Sequence, residues 1–521
     1  MTDRTHPESD EIGGTRSRAT GIDYVHLIQR GLECFTRGEI EAADASFKRA
    51  TEKFPDGADG WANRSATLLM LDQTAFALEC AERALALGAQ SEPSGTNRAL
   101  ALMQLGRYRD AIAAHDEILA RDRRRTDILV ERGNASRALG EPENALTDYR
   151  KALAIDRDLL SALTNCGSVL LELGDAQGAL LNYESALAVN AASADALTGK
   201  GAALAHLRRF DEAAACHRQA LTLAPENAEA HNNLGGALLN LNRVDDALAA
   251  FDRAIQFKPG WPVPLANRGN ALLLAKRYAE ATETFGKVVA LDESYDYALG
   301  DLMLSRIQNC DWSEYDYGKT RIDALVSRGI PAIKPLTTAL LFDDPNLARR
   351  CAEIYTHRKI GTAESRRGIN LPRTESERIR VAYVSADFRE HAASYLLAGL
   401  FERHDRKNFE IFGIGCSPPE NSSTRRRIVD ACDTFVDASA WDDEKLRVFF
   451  RESRIDIVVD LTGHTRNGRT TLFALDTGAV HVNYLGYPGT MGHQAYDYIV
   501  SERYIVTHAN RMVFTKPVLW L

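Results

Sequence analysis

The chain has 521 residues, 26% of them charged, and a formal net charge of −9. That length admits about three domain-sized units, and the acidic balance excludes a nucleic-acid binder working through a broad basic surface. The eight cysteines are scattered without a C-x-x-C pair, the pattern of small buried hydrophobes in a reducing compartment.

The first stretch, residues 1–21, is polar and has no apolar core of a signal peptide, so it is expected to be a disordered tail. No run of apolar residues is long enough to cross a bilayer. A soluble, cytoplasmic protein without membrane partners is expected.

From residue 22 to 295 the sequence is periodic. Ala43, Ala77, Ala111, Ala145, Ala179, Ala213, Ala247 and Ala281 recur at steps of 34, with Phe47, Tyr149, Tyr183, Phe251 and Phe285 four residues after several of them. Gly31, Gly133, Gly167, Gly201, Gly235 and Gly269 keep the same step. A small residue where two helices cross and a large one a turn later describe a helix–turn–helix unit of tetratricopeptide length. Such units bury their apolar faces only against neighbours, so the expected product is a superhelix with a concave groove.

A further column holds Asn63, Asn97, Asn165, Asn233 and Asn267, begun by Gln29 and interrupted by Glu131 and Gly199. Asparagine is a mediocre helix former, but its amide offers two donors and an acceptor. These residues either grip the backbone of a bound polypeptide or bridge adjacent repeats.

Between 296 and 377 the register is lost, and a helical connecting region is expected. After Arg378 the pattern becomes alternating: "RIRVAYVSAD", "FEIFGIGC", "DTFVDAS", "RIDIVVDLTG", "AVHVNYLGYPG" and "YDYIVSE" read as strands with amphipathic helices between them. That alternation predicts a parallel sheet covered on both faces over 378–521, with ligands beyond the strands' C-terminal ends. Three polar or glycine-rich segments fall there: Asp387 to His391, Asp460 to Thr465, and Gly486 to Thr490. Imidazole is the side chain suited to proton transfer near neutral pH, so His391 could accept a proton, or it could cap the helix that follows.

"CDWSEYD", "VSADFREHAASYLL", "DLTGHTRNGR", "LFAL" and "LGYPGT", in this order behind the repeats, resemble the O-linked N-acetylglucosaminyltransferase family, including its SPINDLY-like branch. The resemblance implies an α-solenoid of tetratricopeptide repeats followed by an α/β Rossmann-like lobe, the first half of a glycosyltransferase B fold. It implies transfer of N-acetylglucosamine from UDP-GlcNAc to Ser or Thr of polypeptides held along the repeats, with no metal or other cofactor. His391 falls at the family's proposed catalytic base, with Asp387 beside it to orient or stabilise charge. His464, Thr465, Tyr487, Pro488, Gly489 and Thr490 are the expected substrate-binding positions.

The family's second lobe is expected after "YDYIVSE", and the sequence given stops without it, so the expected form is truncated or impaired. A non-catalytic peptide-binding scaffold and a SPINDLY-like O-fucosyltransferase are the alternatives. Self-association is open.

Overall fold

The computed structural model describes residues 11–88, 92–361, 378–465, 467–487, 489–503, 506–507 and 511–521. The chain divides into two compact units, 1–199 and 200–521.

The first unit is a succession of paired helices, opening with Glu11–Thr36 and Ile40–Lys53. The first of these helices begins inside the segment expected as a tail. The repeated alanines Ala43, Ala77, Ala111, Ala145 and Ala179 are all at most 1% exposed. Glycine recurs because an aromatic ring from the paired helix lies against it. A Cβ at Gly31, Gly133 or Gly167 would stand 2.3, 2.4 or 2.7 Å from the ring of Phe47, Tyr149 or Tyr183. One member of the aromatic column is a histidine, His115, 2% exposed, whose pKa burial pushes down to about 4.

The second unit continues the repeats through helices such as Phe210–Leu223, Ala228–Asn240, Val244–Phe257 and Tyr278–Leu291. Here too rings fill the glycine positions: Phe251 against Gly235 and Phe285 against Gly269. At Gly201 the partner is His217, fully buried, with neither ring nitrogen bonded among the described residues. Helices Ala298–Gln308, Tyr315–Ser327 and Pro345–Ile360 follow. The proline-bearing stretch between the last two forms the short helix Pro335–Leu341. Proline at a helix's first position sacrifices no bond, since that N–H has no intrahelical acceptor.

All six expected strands form, and a seventh joins them: β1 Ile379–Ser385, β2 Phe409–Gly415, β3 Thr434–Asp437, β4 Ile457–Asp460, β5 Val480–Tyr484, β6 Tyr498–Ser501 and β7 Val518–Trp520. They make one parallel sheet in the order β3-β2-β1-β4-β5-β6-β7. Val381 of β1 sits between Ile411 of β2 and Ile457 of β4. Apolar clusters cover both faces, one around Phe412, Phe450, Phe473 and Tyr496, the other around Tyr383, Phe401 and Ile428. That double burial is why the strands read as nearly continuous apolar runs. The order reverses between β1 and β4, which opens a crevice at their C-terminal ends.

Among the described residues no helix is long and apolar enough to cross a membrane.

Candidate functional site

The three expected loops leave β1, β4 and β5, three adjacent strands, at the same edge. A hydroxyl joins the first two: Thr462 Oγ1 accepts the Ala386 N–H at 3.1 Å. The third lies so close that a Cβ on Gly486 would stand 1.8 Å from the Leu461 carbonyl oxygen. Glycine is required there because backbone occupies the space of a side chain.

Asp387 follows β1 and is largely buried, with Arg389 Nη2 donating to its Oδ1 at 3.2 Å. His391 Nε2 lies 3.8 Å from the same oxygen, and its side chain remains 42% exposed. His391 Nδ1 accepts the Ala393 N–H at 3.3 Å, so the residue N-caps helix Ala392–Arg403. Neutral imidazole has one donor and one acceptor nitrogen; the cap bond assigns the proton to Nε2, on the side of Asp387. Glu390 beside it accepts the hydroxyl of Tyr395, which holds its carboxyl below the usual range.

Asp460, at the end of β4, is 1% exposed. Its Oδ1 accepts the N–H groups of Thr462 and Gly463, both at 2.9 Å, and its Oδ2 accepts the Tyr496 hydroxyl at 2.7 Å. Burial raises its pKa against these bonds. This carboxylate therefore builds the turn that presents "TGHT".

His464 in that turn is buried at 5% exposure, its Nε2 2.9 Å from the Met491 carbonyl. Its ring meets those of Tyr355 and Tyr487 edge-on, each at 5.1 Å between centroids. Burial holds its pKa at about 4, so it is neutral near pH 7 and donates through Nε2. Tyr487 is 4% exposed, and its hydroxyl has no hydrogen-bond partner among the described residues. Thr490 is buried as well, its Oγ1 accepting the Thr515 N–H at 3.2 Å. Thr465, whose hydroxyl donates to the Thr462 carbonyl, and Gly489 are half-buried. Pro488 lies outside the described residues.

Helix Pro345–Ile360 supplies a wall that the sequence reading did not assign to the site. Thr356 Oγ1 donates to the Met491 carbonyl at 2.9 Å, and the Tyr355 ring meets His464 edge-on. A Cβ at Gly492, whose φ is +66°, would come within 2.4 Å of the Ala352 backbone. The only sequence signal was a glycine two residues after Thr490, which alone does not say what approaches it.

In the repeats, each asparagine amide of the column makes a hydrogen bond within the array. Asn63 Nδ2 donates to the Asp59 carbonyl of its own helix at 2.9 Å. Asn97 Nδ2 donates to Ser65 Oγ at 2.8 Å, and Asn165 Nδ2 to Asn134 Oδ1 at 3.0 Å. In the second unit, Asn267 Nδ2 donates to Asn232 Oδ1 at 2.9 Å, and Asn233 Oδ1 accepts from Asn232 Nδ2 at 3.2 Å. Asn97, Asn165 and Asn267 thus reach from one repeat to the one before. All five column residues are half-buried.

Residues 309–516 match the family model of glycosyl transferase family 41, and 133–174, 167–216 and 207–262 match tetratricopeptide repeat models. The chain is 27% identical over 210 residues to the probable UDP-N-acetylglucosamine–peptide N-acetylglucosaminyltransferase SEC of Arabidopsis thaliana, a match covering 38% of this chain and 22% of that protein. It is 26% identical over 208 residues to the Caenorhabditis elegans UDP-N-acetylglucosamine–peptide N-acetylglucosaminyltransferase, covering 37% and 18%. With the probable enzyme SPINDLY of Arabidopsis thaliana the identity is 29% over 127 residues, covering 24% and 14%. The matches therefore span under a quarter of these relatives' own lengths. A solved structure of a mutant Thermobaculum terrenum O-GlcNAc transferase is 22% identical, with TM-score 0.45, covering 64% of this chain and 57% of that one. Residues 309–516, which match the glycosyl transferase family 41 model, hold β1 to β6 and all three loops of the crevice, and the matches to tetratricopeptide repeat models lie ahead of that region.

Proposed function

We propose that this chain takes part in protein O-glycosylation, moving N-acetylglucosamine from UDP-GlcNAc to Ser or Thr of a polypeptide held by the repeats. The observation that carries the reading is the placement of His391 and Asp387 at the switch point of a sheet that matches the family 41 model. An acceptor hydroxyl displaces the Ala393 N–H from His391 Nδ1. Its oxygen then attacks the anomeric carbon as its proton passes to that nitrogen, and the nucleoside diphosphate departs. The imidazolium so formed keeps Nε2–H toward Asp387, whose charge steadies it.

Thr465 and Gly489, half-buried at the loops, are the positions proposed to meet substrate. His464, Tyr487 and Thr490, buried against one another's loops, are proposed to fix the wall they belong to, as is Pro488 beside them. Asn63, Asn97, Asn165, Asn233 and Asn267 are proposed to contact the polypeptide backbone. The reaction is proposed to need no metal.

A second reading, a peptide-binding scaffold without catalysis, is favoured by one observation: the only lone pair of neutral His391 is engaged in the helix cap. Incubating the chain with a Ser/Thr peptide and either UDP-GlcNAc or GDP-fucose, with mass detection on the peptide, separates these readings. Gain of one N-acetylhexosamine supports the proposal, and gain of a deoxyhexose supports O-fucosyl transfer. Peptide binding without either adduct supports the scaffold.

A further inference from the structure

The turn ahead of helix Phe210–Leu223 places Arg208 in a left-handed conformation, φ +61°. Of the equivalent turns at steps of 34, four use glycine, at Gly38, Gly106, Gly140 and Gly174, and three use Asp72, Asn242 and Lys276, also at positive φ. An arginine here gives up glycine's freedom, and its side chain runs to the sheet: Nε donates to the Ser439 carbonyl, just beyond β3, at 2.9 Å.

Arg469, from the loop after β4, lies in the same neighbourhood and is only 8% exposed. Its Nε and Nη2 are 2.6 and 2.5 Å from Asp443 Oδ1. Its Nη1 is buried and has no hydrogen-bond partner among the described residues. Cys416, the residue after β2, presents its thiol to the Arg469 side chain, a weak acceptor at best. Burial first, and then the Arg469 charge, lower the proton affinity of Arg208.

Arg469 is thus paired with Asp443, while Arg208, held on the Ser439 carbonyl four residues before Asp443, feels both charges in a place largely removed from water. A buried charge left uncompensated is costly. Guanidinium forks match the oxygens of phosphate-like anions in geometry as well as charge. The cluster also stands beyond the C-terminal ends of β2, β3 and β4, the edge where such sheets bind ligands. We infer that Arg208 and Arg469 form a binding site for a small tetrahedral oxyanion of the phosphate class, separate in its residues from the proposed transfer machinery. Arg208 supplies the repeat-side fork, and Arg469 Nη1 supplies the buried donor.

The test is thermal unfolding of the full chain in sodium phosphate titrated at constant ionic strength with sodium chloride. The native chain is expected to show a saturable rise in Tm. Arg208→Gln is expected to raise the half-saturating phosphate concentration by about tenfold. A Tm that follows ionic strength alone, or the same half-saturation in Arg208→Gln, overturns the inference. Should far-UV circular dichroism show that Arg208→Gln does not fold, Arg208→Lys decides. It keeps the charge but loses the fork, so weaker half-saturation supports the site and unchanged half-saturation overturns it.

Discussion

His391 Nδ1 accepts the backbone N–H of Ala393, so one imidazole both closes the first turn of a helix and stands at the crevice mouth. The two duties are separable, because asparagine caps helices well and cannot act as a base. His391→Ala should cost about 1 kcal/mol in urea unfolding, while His391→Asn should cost a few tenths or nothing. Under the proposed mechanism both variants lose peptide glycosylation by 100-fold or more (roughly the low end for general-base removal). An Asn variant that transfers sugar at the native rate would leave His391 as a cap alone.

The Tyr487 hydroxyl is buried without a partner among the described residues, whereas its ring packs on His464. Removing an unsatisfied buried hydroxyl relieves a desolvation cost. Tyr487→Phe should therefore leave stability unchanged or raise it by up to about 1 kcal/mol, read from the urea midpoint. A loss of stability would show that the hydroxyl has a bonded partner.

Gly486 admits no side chain, because Leu461 backbone stands where its Cβ would be. Gly486→Ala should destabilise by about 3 kcal/mol, since the clash is with backbone and cannot be relieved by a rotamer change. Gly478→Ala, where the Cβ would meet nothing within 4 Å but φ is +77°, should cost about 1 kcal/mol from backbone strain alone. Equal losses in denaturant unfolding would remove the claim of close loop contact.

Asn134 Oδ1 accepts both the Asn165 amide and the Tyr149 hydroxyl. Asn165→Ala should cost about 1 kcal/mol as that bridge is lost, visible as a lower urea midpoint. Peptide affinity, measured by fluorescence anisotropy at a temperature where the variant is fully folded, should also weaken. Lower stability with unchanged affinity would leave bridging as the residue's whole role.

His217 fills an aromatic position of the repeats with neither ring nitrogen bonded among the described residues, and burial holds its pKa at about 4. Its folded pKa lies below its unfolded one, so between pH 6.5 and 4 the unfolded chain binds the extra proton first. The stability that neutral His217 permits is intact above about pH 6.5 and is lost as pH falls toward 4, by at most about 3 kcal/mol. His217→Phe, which copies the Gly235–Phe251 pair, should flatten that acid dependence in urea unfolding at pH 7, 6 and 5. An unchanged slope would assign the acid sensitivity to other groups.

The repeat array and the alternation of strand and helix were legible in the residues because both come from contacts between near neighbours. A glycine against Phe251 or Tyr149 recurs wherever the same two helices cross, so packing writes its own period into the sequence. The address of Asp387, Asp460 and Gly486 was equally legible, since parallel strands deliver their C-terminal ends to one edge. What each side chain does there was decided only by folding. Helix Pro345–Ile360 brings Tyr355 and Thr356 onto loops more than a hundred residues later, which buries His464. Arg208 reaches Ser439 across a still longer stretch of chain. Burial and partner choice depend on which distant segments arrive, and no local pattern records them.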